Sequence, residues 1–175
     1  SILINNVLEL ARLEKKTRRF NMQKNSVSSV FFEIASTMEQ NLKQEGFSLN
    51  IEDTSVEDFV FDRDVLIQIL MNLIENAIKF GRDSAVKHIT LGSVIRNGFV
   101  EITVSDTGPG IPRKEISNVF DDFYRVDNSL TKAKGGTGLG LALVKKFVTA
   151  MAGRVSAANN EDRGCTFTIS LPLTY

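Results

Sequence analysis

The sequence predicts an α/β fold: a two-layer sandwich whose mixed, mostly antiparallel sheet carries three principal helices on one face and is preceded by a partial helix. Three features lead there. Residues 62–80 place Val65, Leu66, Ile69, Leu70, Leu73, Ile74, Ala77 and Ile78 at three-and-four spacing, the stripe of an amphipathic helix. Asn97-Gly98 stands between two strand-like runs and is the strongest short-range hairpin signal. The other strand-like runs group together rather than alternating with helices, which favours hairpins over βαβ crossovers.

From the N-terminus, Leu3, Ile4, Val7, Leu8, Leu10, Ala11 and Leu13, followed by Lys15, Lys16, Arg18 and Arg19, predict the end of a helix over residues 1–20. A lone helix of that length is marginal in water, so its wide apolar face needs a partner in this chain or in a second copy. Ser26 is a good N-cap for a helix through Val27, Val30, Phe31, Ile34, Ala35, Met38 and Leu42 that stops at Gly46. Residues 47–51 alternate apolar with polar and residues 59–61 follow an acidic turn, so both are expected as strands. The central helix starts at Asp62 or Asp64 and stops at Gly81, with Lys79 and Arg82 near the negative end of its dipole. Residues 89–95 and 99–104 make the hairpin, which sets Ser105 and Asp106 at the exit of a buried strand. Pro112 opens a short helix to Val119. From Asp121 to Gly136 the chain is polar, charged and without period, as expected of a mobile loop. Leu139, Leu141, Ala142, Val144, Phe147, Val148 and Met151 describe a last helix ending at Gly153, and residues 155–157 and 166–171 a closing hairpin. The total is about five to seven strands.

Composition bounds the function. The chain has 175 residues and is 42% hydrophobic, enough for one ordinary core and a short extension. Basic and acidic residues balance at 21 each, so no global field attracts nucleic acid or anionic lipid, and any anion site is local. Cys165 is the single cysteine and His88 the single histidine, which excludes a disulfide framework and Cys- or His-rich metal clusters. There is no run of about 18 apolar residues and no signal peptide, so no membrane contact by this segment is expected, and a reducing, cytoplasmic setting is the default. Beginning in mid-helix with Ser1 suggests a fragment of a longer protein and leaves room for a membrane anchor upstream in the parent.

Four stretches carry chemistry. Asn72, Asn76 and Lys79 stack along one side of the central helix beside its apolar stripe. A carboxamide oxygen is a hard neutral ligand for Mg²⁺, and the lysine one turn on neutralises phosphate oxygens. The plain alternative is a polar shoulder with a Glu75–Lys79 surface pair. Asp106-Thr107-Gly108-Pro109-Gly110-Ile111-Pro112 joins a strand to a helix; its aspartate suits an exocyclic amine such as that of adenine, and the same residues are good turn chemistry. In Phe120-Asp121-Asp122-Phe123-Tyr124-Arg125 two aromatics suit an anchor for the following loop while Arg125 reaches a phosphate, or the stretch is simply core plus surface. Gly135-Gly136-Thr137-Gly138-Leu139-Gly140-Leu141 precedes a helix, where bare amides and the helix dipole form an anion cradle, or else a flexible entry to that helix. Its spacing is neither the Walker loop nor the dinucleotide fingerprint.

In this order the four stretches resemble the ATP-binding catalytic domain of sensor histidine kinases, within the family that includes DNA gyrase, MutL and heat-shock chaperone ATPases. The resemblance covers residues 21–175, including the close Gly164-Cys165-Thr166 to Pro172, and implies the Bergerat-type ATP-binding fold. Asn72, Asn76, Lys79 and Phe80 look like the N box, Asp106, Gly108 and Gly110 like the first glycine box, Phe120 and Phe123 like the F box, and Gly136, Gly138, Leu139 and Gly140 like the second. The resemblance implies ATP and Mg²⁺ as cofactors. It gives Asn76 the metal, with Asn72 and Lys79 beside it. Asp106 is given the adenine amine, Ile111 and Thr166 the base pocket, and Gly136 to Gly140 the phosphates under a closing loop, with Arg125 and Thr137 assisting near the γ-phosphate. Residues 1–20 look like the end of the second dimerisation helix, which implies a homodimeric parent, a phosphoacceptor helix in the same or the neighbouring subunit, and a response regulator receiver domain as partner.

Two departures from the family matter. Gyrase-like hydrolases carry a water-activating glutamate four residues before the metal asparagine; here that position is Asn72, and a carboxamide cannot act as the base. Glu75 is the other candidate to polarise a nucleophile. No His-Glu/Asp-x-Arg/Lys-x-Pro acceptor motif occurs, and His88, followed by Ile89-Thr90-Leu91, reads as an ordinary strand residue. The expected activity is an ATP-dependent protein-histidine kinase that holds the donor half of the reaction, with a nucleotide-gated interaction module and a slow gyrase-type ATPase as the other readings.

Overall fold

The computed structural model describes residues 2–52, 56–126 and 135–174. Helix α1 spans Ile2–Glu14, strand β1 Met22–Asn25, α2 Val27–Glu45, β2 Ser48–Ile51, β3 Phe59–Asp62, α3 Arg63–Gly81, β4 His88–Arg96 and β5 Phe99–Asp106. A 3₁₀ turn, Arg113–Asn118, is followed by α4 Gly140–Ala150, β6 Arg154–Asn159 and β7 Cys165–Pro172. Half of the expected 121–136 loop, residues 127–134, lies outside the described residues.

The main sheet has the order β2-β4-β5-β7-β6, antiparallel except for the parallel β2–β4 pair. Alternation along β5 and β7 sends Val100, Ile102, Val104, Phe167, Ile169 and Leu171 into the core. Glu101, Thr103, Ser105, Thr166, Thr168 and Ser170 fall on the opposite face, so the helices cover one side only. The central helix α3 is the core's axis: Leu66, Ile69, Leu70, Leu73 and Ile74 are at most 1% exposed. Each such burial contributes about 2 kcal/mol. It packs between α2 and α4.

Several expected boundaries follow their local chemistry. Ser26 Oγ accepts from Ser29 N at 3.2 Å, and Gly46 closes α2 at φ 75°. Asp62, 4% exposed, caps α3: one oxygen accepts from Val65 N at 3.1 Å and the other from Asn21 N at 2.8 Å. Asn97 (φ 53°) and Gly98 (φ 79°) are both left-handed, the requirement of the tight hairpin turn.

Other boundaries differ. Helix α1 ends at Glu14 rather than near residue 20, because Thr17 N returns to Arg12 O at 2.9 Å and Lys16 takes the left-handed conformation without a glycine to signal it. Arg18 then folds beneath the helix, paired with Glu9 and stacked 5.1 Å from the Phe147 ring centroid on α4. Strand β1, pairing Met22 with Asp62 through Asn25 with Phe59, has no alternating pattern and went unpredicted. Gly81 lies within α3, whose C-cap is Arg82 in a right-handed conformation. Gly81 is needed for space instead: a Cβ there would stand 3.2 Å from Phe47 Cζ. Pro112 caps the 3₁₀ turn rather than opening an α-helix. Beyond α4 the left-handed residue is Ala152, at φ 60°, while Gly153 makes room against Ser170 O, 2.5 Å from where a Cβ would lie. Among the described residues no helix is long and apolar enough to cross a membrane.

Candidate functional site

A cavity of about 930 Å³ opens between the C-terminal half of α3, the segment after β5 and the glycine-rich entry to α4. That size is typical of a small-molecule site. It brings together Asn72, Asn76, Lys79 and Phe80 from α3, Asp106, Gly110 and Ile111 from the β5 exit, Arg125, and Gly136, Thr137, Gly138 and Gly140 before and at the start of α4.

One end is cationic. Burial, and then the charge of Arg125, push the Lys79 ammonium below the ordinary lysine range. An ammonium held beside a second cation in this way marks a position for an anion. Lys79 Nζ occupies the space that a Gly136 Cβ would fill, and Gly136 has φ 130°. Gly138, at φ 70°, lies so close to the backbone before Arg125 that a Cβ would be 2.7 Å from Phe123 C and 2.8 Å from Tyr124 O. Only glycine lets these two segments approach while their amides stay available. Thr137 Oγ1 accepts from Leu139 N at 3.3 Å, which fixes the turn into α4.

The other end is built around Asp106. Desolvation raises its carboxyl above the ordinary aspartate range, opposed by N–H groups of Gly108 and Cys165 that donate to Oδ1 at 2.8 and 3.4 Å. With Oδ1 so held, Oδ2 is the oxygen to receive a ligand amine. The loop beyond it is clamped by β6. Asn159 Oδ1 accepts from Ile111 N at 2.8 Å, and its amide donates to Ile111 O at 2.6 Å. Asn160 donates to Asp106 O at 3.0 Å and accepts from Thr166 Oγ1 at 2.6 Å. These two asparagines look in sequence like mere turn residues, and no local pattern ties them to a site 48 or more residues away.

Residues 61–175 match the family model described as histidine kinase-, DNA gyrase B-, and HSP90-like ATPase. The chain belongs to that family. Its relatives place it on the histidine kinase branch, as an ATP-binding catalytic domain. Sensor histidine kinase WalK of Bacillus subtilis is 35% identical over 176 residues, covering 97% of this chain and 28% of the relative. Hybrid signal transduction histidine kinase D of Dictyostelium discoideum is 38% identical over 177 residues, covering 98% of this chain and 11% of the relative. The crystal structure of full-length ShkA in complex with AMPPNP is 26% identical with TM-score 0.85, covering 98% of this chain and 35% of that one. The chain thus spans a minor part of the length of these proteins.

Not every expected residue of this ATPase domain reaches the cavity. Thr166 pairs with Ser105 across β5 and β7, so alternation turns its hydroxyl to the far face of the sheet, 2.9 Å from Ser105 Oγ, and Cys165 and Phe167 line the cavity in its place. Burial, with Asp106 nearby, pushes the Cys165 thiol up to about 12. Phe120 is an anchor, edge-on to Phe167 with centroids 6.0 Å apart, but it lies behind the cavity wall. Phe123 is 70% exposed at φ 59° and anchors nothing in the core. Leu139 is buried in the core, and Gly108 is buried against Gly81, 3.5 Å from where its own Cβ would stand. The Glu75–Lys79 pair does not form: among the described residues neither joins an ion pair, and Glu75 faces the cavity. Leu3 and Asn6 of α1 also reach its rim, which the sequence offered no means to foresee. His88 is exposed at the start of β4 with Ser48 Oγ on its Nδ1, a strand residue as expected.

Proposed function

We propose that this chain binds ATP·Mg²⁺ and presents the γ-phosphoryl group to a histidine on a dimerisation helix of the same or the neighbouring subunit, from which the aspartate of a response regulator receiver domain takes it. The observation that carries the reading is the convergence in one cavity of an aspartate end and a dicationic, glycine-cradled end. An adenine base and a phosphate chain need that polarity and that separation of roles.

Asp106 accepts the adenine amine, with Ile111, Cys165 and Phe167 against the base. Lys79 and Arg125 offset phosphate charge, and amides of residues 136–138 and the Thr137 hydroxyl donate to phosphate oxygens. The carboxamide oxygens of Asn76 and Asn72 fit a hard cation. When bound, the metal neutralises charge on the transferring group. Phosphoryl transfer depends mainly on such positioning and neutralisation. Asn72 cannot take a proton from water, which favours transfer over hydrolysis. The resemblance of residues 1–20 to the end of a dimerisation helix supports a homodimeric parent.

Calorimetric titration with a non-hydrolysable ATP analogue, with and without Mg²⁺ and with a GTP analogue as control, tests the reading. Adenine-selective, Mg²⁺-dependent binding is expected. Replacing the analogue with ATP·Mg²⁺ and adding a dimerisation helix with its histidine should then yield an acid-labile phosphoprotein and ADP. Equal binding of the GTP analogue, or none of either, overturns the assignment.

A further inference from the structure

Residues 72, 75, 76 and 79 share one face of α3, at the spacing that stacks side chains over two turns. All four line the cavity. Three are neutral or cationic, as a phosphate site requires. Glu75 is not. It is half-buried, it lines the cavity, and among the described residues no ion pair or hydrogen bond engages it. Lys79, one turn on, turns instead toward Gly136 and Arg125.

A carboxylate here faces the negative charge of a bound phosphate chain, and at the reduced dielectric of a partly buried site that repulsion is large. The conflict disappears when a divalent cation arrives with the nucleotide. Mg²⁺ at phosphate-transfer sites is usually held by one or two carboxylates together with substrate oxygens. Among the described residues the cavity has two other carboxylates. Asp106 is committed to the amides of Gly108 and Cys165, and Asp83 is exposed beyond the end of α3. Glu75 alone is adjacent to Asn76.

We infer that Glu75 supplies the anionic ligand of the magnesium site, directly or through a metal-bound water, and so makes the cavity select metal-bound over free nucleotide. The inference rests on the nucleotide reading above and adds its source of metal dependence. Glu75 is thereby a specificity residue as well as a binding one: it penalises free nucleotide and rewards the magnesium complex.

The experiment compares dissociation constants of the non-hydrolysable ATP analogue in Mg²⁺ and in chelator for the wild type, Glu75→Gln and Asp83→Asn, each first shown to melt as the wild type does. Binding by the wild type tests the nucleotide reading by itself. For Glu75→Gln the ratio of the two constants should fall about tenfold, with free nucleotide binding more tightly and the magnesium complex more weakly. Mn²⁺ spin resonance in the presence of the analogue should show a weaker, altered metal signal for this variant. An unchanged ratio, with both forms binding more tightly, would mean that Glu75 merely repels phosphate and would overturn the inference. So would the same fall in Asp83→Asn. Loss of acceptor-free ATP hydrolysis at an unchanged ratio would assign Glu75 to water activation and overturn it equally.

Discussion

Gly164 and Gly98 share a backbone conformation and differ in surroundings, which isolates one interaction. Both are left-handed, at φ 83° and 79°. A Cβ at Gly98 meets nothing within 4 Å, whereas one at Gly164 would penetrate the Asp106 carbonyl oxygen and come 2.6 Å from Asp106 C and 2.9 Å from Thr107 Cα. The left-handed conformation costs an alanine about 1–2 kcal/mol at either site. At Gly164 the overlap is with backbone, so a rotamer change cannot relieve it. Either β5 or the 159–164 turn must move, stretching the 3.0 Å bonds from Asn160 N to Gly164 O and from Asn160 Nδ2 to Asp106 O. Overpacking of that kind adds about 2–3 kcal/mol. Gly98→Ala should therefore cost about 1–2 kcal/mol and Gly164→Ala about 3–5, a large share of the ~5–15 kcal/mol stability of a domain. Urea unfolding followed by circular dichroism measures both. Because the displaced atoms carry Asp106, Gly164→Ala should also lose nucleotide affinity in mild conditions where it remains folded, while Gly98→Ala keeps it. Equal costs for the two substitutions would refute the argument that Gly164 is reserved by contact with Asp106.

Other consequences follow from the site and the N-terminal helix. Asp106 has a folded-state carboxyl raised by burial, so the native state holds its proton more tightly than the unfolded chain. Its contribution to stability is present in acid and is lost as pH rises through the raised value. Asp106→Asn should flatten that part of the stability–pH curve. Its new amide would confront the adenine amine donor to donor, so analogue affinity should fall about 10–100-fold, by calorimetry, without a lower melting temperature. Lys79→Ala removes an ammonium that burial and Arg125 already disfavour. The apoprotein should stay as stable by thermal melt while triphosphate affinity drops about tenfold or more. Arg18→Ala deletes the ion pair with Glu9 and the stacking on Phe147 and Phe20 that hold α1 to α4. It should cost about 1–3 kcal/mol and speed amide exchange in residues 2–14 ahead of α3, and unchanged exchange there would contradict the docking role.

What the sequence alone determined about this protein is what local chemistry encodes. Ser26 and Asp62 cap helices with their own side chains, Gly46 and Asn97-Gly98 reverse the chain through left-handed backbone, and the apolar stripe of α3 has the period of a helix. The glycine-rich run before α4 and Asp106 pointed toward a nucleotide through missing Cβ atoms and one carboxylate, properties of the residues themselves, and the fold gathers them at one cavity. Tertiary structure decided the rest. Whether Cys165 or Thr166 touches the cavity depends on the β5–β7 register, which pairs Thr166 with Ser105 and is set by contacts some 60 residues apart in the chain. Whether Glu75 joins Lys79 or the cavity depends on Arg125 and Gly136, brought near only when α4 packs on α3. Strand β1 exists because Asn21 and Met22 meet Asp62 across the fold, and its four residues carry no period of their own. Periodicity and caps act within one turn of chain and are legible there. Register, exposure and the electrostatic partner of a side chain are set by neighbours distant in sequence, and these acquire their values only in the folded molecule.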